Sequence, residues 1–132
     1  MEKEFITYNQ ALALKELGFD EPCLKMAMSE IDIINTERTD EGDYPKNSHL
    51  FSGWVAIPTY SAAFRWFRKK YGLIGQPMPL CISYPGKVTH YGWSIVSNQN
   101  SIDWENEDNG FKIYEEAELA CLDKLIEICK TK

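Results

Sequence analysis

The densest charge in this sequence is a run of four cations in six positions, Arg65, Arg68, Lys69 and Lys70, interleaved with Trp66, Phe67 and Tyr71. Guanidinium groups grip phosphate or carboxylate through paired N–H donors. A neighbouring aromatic ring can stack on a base. Arg65, Arg68 and Lys69 with Trp66, Tyr91 and Trp93 therefore form a candidate site for a small anion or nucleotide, and Tyr84 is a further stacking candidate. The plain alternative is a solvated helix face whose last-turn cations suit the helix dipole. Between the two lies docking onto an acidic loop of another copy or of a partner protein.

Other reactive residue types are scattered. His49 and His90 have no sequence neighbour at metal-ligand spacing, although Cys23 or Cys81 could approach from a distance, so no metal is expected. The four cysteines, Cys23, Cys81, Cys121 and Cys129, show no C-x-x-C pattern and read as small core residues. Cys121 falls mid-helix beside Asp123, an environment that opposes thiolate formation. Asp103, Glu105, Glu107 and Asp108 surround Trp104. That cluster reads as a solvated acidic loop, a hard-cation site or a surface imitating nucleic-acid charge, and it lacks the fixed glycine and terminal glutamate of an EF-hand. No glycine-rich phosphate loop, nucleophile elbow or H-E-x-x-H occurs. The expectation is a protein without catalytic activity or cofactor. An enzyme of unfamiliar type, with a perturbed carboxylate beside His90, ranks last.

A length of 132 residues fits one domain with a real core, and 44% hydrophobic content is that of a folded chain. The net charge of −6 speaks against double-stranded nucleic acid and anionic membranes. The first ten residues, MEKEFITYNQ, carry no apolar leader segment, and no apolar run is long enough to span a bilayer. A reducing cytoplasm, of a host cell if the chain is phage-encoded, is the expected setting.

These residues must be positioned by a modest set of elements. Thr7 and Gln10 form a T-x-x-Q capping box that starts a helix within 5–19, with Ile6 placed to staple onto Ala11 and Gly18 as its stop. Cys23 to Ile34 reads as strand over its first half, and 35–53 as a long acidic loop. Trp54 to Ile57 suggests a short strand. Thr59 caps the next helix, whose core side is assigned to Ala63, Phe64, Phe67 and Tyr71, with Gly72 ending it. After a linker at 74–77, Leu80 to Tyr84 and Val88 to Val96 flank Pro85-Gly86 as a β-hairpin, with Gly92 marking a bulge or close approach. Residues 97–110 read as a second acidic loop and Phe111 to Ile113 as a short strand. Tyr114 to Cys129 forms the last helix, with Tyr114, Ala117, Cys121, Leu122, Leu125 and Ile128 on its apolar face. Ile113 offers that helix no capping hydroxyl.

The predicted fold is a single α+β domain over 1–132, ordered α-β-(loop)-α-β-β-β-α, with 58–132 as its core. Its helices, including Thr59–Tyr71 and Tyr114–Cys129, should pack on one face of an antiparallel sheet. From Thr59 onward this order resembles the double-stranded-RNA-binding domain. The basic start of that domain's last helix is replaced here by Glu115, Glu116 and Glu118, so the resemblance extends to topology and not to RNA. The segments ALALKELGFDEPC, PTYSAAFRWFRKKYGL and YEEAELACLDKLIEI are similar to a group of small uncharacterised proteins of Bacteroidota and their phages. In that group glutamine often replaces Ala62 and threonine replaces Ile113. This resemblance implies an accessory protein that binds a host or phage protein, with exposed aromatics such as Trp104 and the acidic loops as contacts. A small anionic ligand at Arg65, Arg68 and Lys69 is the alternative, and self-association stays open.

Overall fold

A computed structural model describes residues 4–37, 44–83, 85–97, 102–105 and 110–131. It is a mixed α+β chain with, among the described residues, two three-stranded antiparallel sheets. The helices are α1 (Tyr8–Glu16), α2 (Tyr60–Tyr71) and α3 (Tyr114–Lys130), and the strands are β1 (Lys25–Ala27), β2 (Ile33–Asn35), β3 (Val55–Ile57), β4 (Leu73–Ser83), β5 (Lys87–Ser97) and β6 (Ile102–Glu105). The chain divides into two compact units, 1–63 and 64–132, with the division falling inside α2.

In the first unit, α1 begins as its sequence dictates. Thr7 Oγ1 accepts the Gln10 N–H at 3.1 Å, while Gln10 Oε1 accepts the Thr7 N–H at 3.0 Å. Gly18, at φ 100°, reverses the chain so that the Phe19 N–H reaches the Leu14 carbonyl at 2.9 Å. Only glycine adopts that left-handed conformation without steric cost. Ile6, Ala11, Leu14 and Phe19 are buried, and α1 packs on β3. The sheet runs β2-β1-β3. Both halves of 23–34 thus take part in strand structure, as β1 and the start of β2 joined by a tight connection, where the sequence had favoured strand only over the first half.

Polar side chains tie this small sheet together. The buried Asn47 donates to the Phe19 carbonyl and accepts the Ala56 N–H, both at 2.8 Å. Thr36 Oγ1 donates to the Cys23 carbonyl at 2.7 Å. The long-loop reading of 35–53 is therefore revised: Asn47–His49 forms a 3-10 turn anchoring the chain, while 38–43 lie outside the described residues.

In the second unit, the strand expected from Leu80 begins at Leu73, and the supposed linker 74–77 is part of β4. Proline inside a strand argues for an edge position, and β4 is the edge of the sheet β4-β5-β6. Tyr91 exchanges both its backbone hydrogen bonds with Phe111, turning its N–H and carbonyl away from β4. Strand alternation then places Pro79 opposite Tyr91, and Pro77 opposite Trp93, with their nitrogens toward the open edge. They cost the sheet no ladder bond.

The third strand is Ile102–Glu105, within the stretch read as an acidic loop, whereas Phe111 contributes only a bridge to Tyr91. Gly92 sits in regular register opposite Met78, and the irregularities lie at Pro79/Cys81, Cys81/Ile82 and Ile95/Val96. A close approach is found at Gly75, where a Cβ would stand 2.8 Å from Leu125 Cδ1 and 3.0 Å from Cys121 Sγ. There α3 lies against β4 and β5, burying Ala117, Cys121, Leu122, Leu125 and Ile128. Tyr114, assigned to that apolar face, is exposed beside Tyr91, with ring centroids 5.8 Å apart. Ile113 supplies no side-chain cap, as its type predicts.

Candidate interaction surface

The residues proposed from sequence as a stacking site do not form one. Arg65, Arg68 and Lys69 are exposed and make no ion pair with another described residue. Trp66, however, is only 7% accessible, packed edge-on against Phe67 at 5.0 Å and Tyr71 at 5.8 Å. The Lys70 ammonium lies 5.0 Å from the Trp66 ring centroid. The core stripe of α2 is therefore Tyr60, Ala63, Trp66 and Phe67, with Phe64 and Tyr71 half-buried. The aromatic run is wide enough for either face to read as core, and packing selects the one containing Trp66. Trp93 is likewise buried at 9%, and Tyr91 is half-buried, so neither tryptophan offers an open stacking face. β6 places Trp104 opposite Ile95, but its side chain lies outside the described residues, as does Tyr84.

The reactive groups are equally quiet. Burial pushes the Cys23 thiol up to about 12, with Glu21 adding to the effect. Cys121 is also pushed up to about 12, chiefly by burial. Both are held as thiols at neutral pH, and Cys129 is buried too, whereas the Cys81 side chain lies outside the described residues. His49 is exposed on its 3-10 turn, and the His90 ring nitrogen Nδ1 lies 3.1 Å from Thr89 Oγ1. Among the described residues no group of His, Cys, Asp and Glu is arranged to hold a metal.

What the structure gathers instead is an apolar surface around β2. Ile31 is 90% accessible and Phe51 85%, while Leu24, Met28, Ile33 and Ile34 are also exposed. Single exposed apolar residues are ordinary, but several gathered on both faces of one short strand mark a candidate interaction surface. The backbone adds to it. The bonds Met28 N–H to Asp32 and Thr36 N–H to Leu24 fix the even-numbered residues of β2 as the ones facing β1. The N–H and carbonyl groups of Ile33 and Asn35 therefore point to the open edge. Two hollows flank this strand. One, of about 670 Å³, is lined on the α1 side by Phe5, Tyr8, Lys25, Ile31 and Ile33. The other, of about 370 Å³, is lined on the opposite face by Met26, Ile34, Leu50, Phe51 and Trp54.

Sequence reasoning missed Ile31 and Phe51 as contact residues, because strand-forming isoleucines at 31, 33 and 34 and the Leu50-Phe51 pair read equally well as residues to be buried. Comparison with known proteins adds nothing to the site: no family model, curated protein or solved structure matches the chain. Among the described residues no helix is long and apolar enough to cross a membrane.

Proposed function

We propose that this protein is a non-enzymatic protein-binding module, an accessory factor of the phage type suggested by its sequence resemblance. Its partner contacts the β2 edge and the apolar residues around it. The observation that carries this reading is the coincidence of unpaired strand backbone at Ile33 and Asn35 with the exposed side chains Ile31, Ile33, Ile34 and Phe51. A free strand edge offers directional hydrogen bonds, and the neighbouring apolar groups supply desolvation energy. Burial holds Cys23 and Cys121 as thiols, which speaks against either as a nucleophile.

The test is affinity capture from host lysate with the wild-type chain and with Ile31→Lys/Phe51→Ser. These exposed positions should tolerate the change within about 0.5 kcal/mol each. A saturable partner retained by wild type and lost by the double variant, with thermal melting unchanged, supports the reading. Absence of a saturable partner, or equal capture by both, rejects it.

A second reading, capture of a small anion at Arg65, Arg68 and Lys69, is favoured by the exposure of all three cations. Without Trp66 or Trp93 as an open platform it reduces to charge attraction, screened over roughly 8–10 Å at ordinary salt. Calorimetry with cyclic and linear nucleotides tests it, since an unchanged Kd in Arg65→Ala/Arg68→Ala removes the site.

A further inference from the structure

Resting on the protein-binding reading above, we infer that the partner presents an extended apolar segment flanked by lysine or arginine, which adds to β2 as a new edge strand. Three observations specify this occupant. First, the donors and acceptors of Ile33 and Asn35 alternate along the open edge at the spacing of a strand ladder. Second, an added strand sends successive side chains to opposite faces of the sheet. Here each face carries a hollow beside β2, one by Ile31 and Ile33 and the other by Ile34 and Phe51. Main-chain bonds would supply affinity, and these alternate hollows would supply side-chain selection.

Third, the charge around the edge is acidic on both faces. Glu30 borders the first hollow, where Asn9 Nδ2 donates to it at 3.3 Å, and Glu37 borders the second. Asp32 is exposed at the start of β2. Facing these are the Lys25 ammonium, 5.0 Å from the Phe5 ring centroid, and His49 at the rim of the second hollow. On a chain of net charge −6 this surface attracts a basic strand and resists a second copy of itself.

An edge of the second sheet, β4, shows the contrast. β4 carries Pro77 and Pro79 with their nitrogens outward, removing two donors where a foreign strand would pair. β2 has no proline and no lysine within Ile33–Asn35. One edge is closed to addition and the other is left open.

The experiment titrates the isotope-labelled full chain with a blocked peptide of alternating threonine and valine bearing a lysine at each end. Its glutamate-ended counterpart is the control. The proposal expects the largest amide-signal shifts at Ile33 and Asn35, with the lysine-ended peptide binding about tenfold more tightly at low salt. Asn35→Pro removes one outward N–H without touching a β1 bond, and should weaken binding about tenfold while melting stays unchanged. If Asn35→Pro unfolds, Ile33→Lys serves in its place, opposing the lysine-ended peptide by charge. Equal binding of the two peptides, shifts elsewhere, no binding, or a wild-type dimer formed through the same amides each overturns the proposal. Should both peptides fail while lysate capture still depends on Ile31 and Phe51, this inference falls and the protein-binding reading stands. Failure of both experiments removes both.

Discussion

Two of the four edge strands, β2 and β4, solve the same physical problem in opposite ways. Each leaves one side of its backbone without a neighbouring strand. β4, 11 residues long, closes that side with Pro77 and Pro79 and interrupts its register near Cys81. β2 is short, three residues, and every one of them is exposed. A long open strand is an aggregation hazard and needs such devices, whereas a short one can be left open with little risk. Among the described residues, the most exposed apolar side chains, Ile31 and Phe51, lie beside the edge whose pairing has not been blocked.

The sheets behind these edges are also held differently. The second unit relies on apolar burial, with α3 pressed onto Gly75 and the strands around it. The first adds buried polar ties, with Asn47 bonded on two sides, to its own apolar core of Ile6, Leu14, Phe19, Val55 and Ile57. Asn47→Ala would strand both the Phe19 carbonyl and the Ala56 N–H, and should cost about 2–4 kcal/mol by denaturant unfolding. Asn47→Asp keeps the acceptor for Ala56 but loses the donor to Phe19, so it should fall between wild type and alanine. A loss below about 0.5 kcal/mol for alanine would mean that the apolar core alone holds the first unit and the Asn47 bonds add little to it.

The contrast between edges can be broken directly. Pro77→Thr/Pro79→Thr restores two outward N–H groups on β4. The double variant should self-associate in a concentration-dependent way by sedimentation, while wild type stays monomeric over the same range. Monomer stability should fall by up to about 1 kcal/mol per site, because the unfolded chain regains freedom that proline denied it. A variant that remains monomeric at high concentration would show that the prolines are not what closes β4.

How much of this was legible follows from which physics is local. Capping chemistry is local: Thr7 with Gln10, Thr59 accepting the Ala62 N–H at 3.1 Å, and the absent cap at Ile113 all stand as their residue types require. The buried face of α3 was readable from helical spacing, apart from Tyr114, which is exposed, and Ile126, which is buried without having been assigned to it. Strand position is not local. Pro77 looked like a linker residue because nothing in its neighbourhood says that its strand is an edge. The second half of 23–34, with Ile33 and Ile34, stayed open for the same reason. The surface role given to Trp66 failed where two aromatic faces competed on one helix, and only tertiary packing chose between them.

The smallest predicted effect distinguishes the units by the sign of their pH response. Burial alone would raise the Asp20 pKa, but the Ser48 hydrogen bonds, with Lys46 and His49 nearby, outweigh it and hold the carboxyl below 3.8. The Ser48 N–H approaches Asp20 Oδ1 at 2.8 Å. A depressed folded pKa stabilises the protein above the unfolded value, and that contribution is lost as pH falls through the folded one. Glu118 in the second unit is the reverse case, raised above 4.5 by burial first and by Glu115 second. Its ionisation opposes folding, so stability declines as pH rises from 4.5 through the folded pKa. Asp20→Asn should therefore lower the melting temperature at neutral pH and converge with wild type in acid. Glu118→Gln should raise it at neutral pH and likewise converge in acid. Melting curves between neutral pH and acid check both signs, and two variants shifting in the same direction at neutral pH would contradict the assignment of a favourable carboxylate to one unit and an unfavourable one to the other.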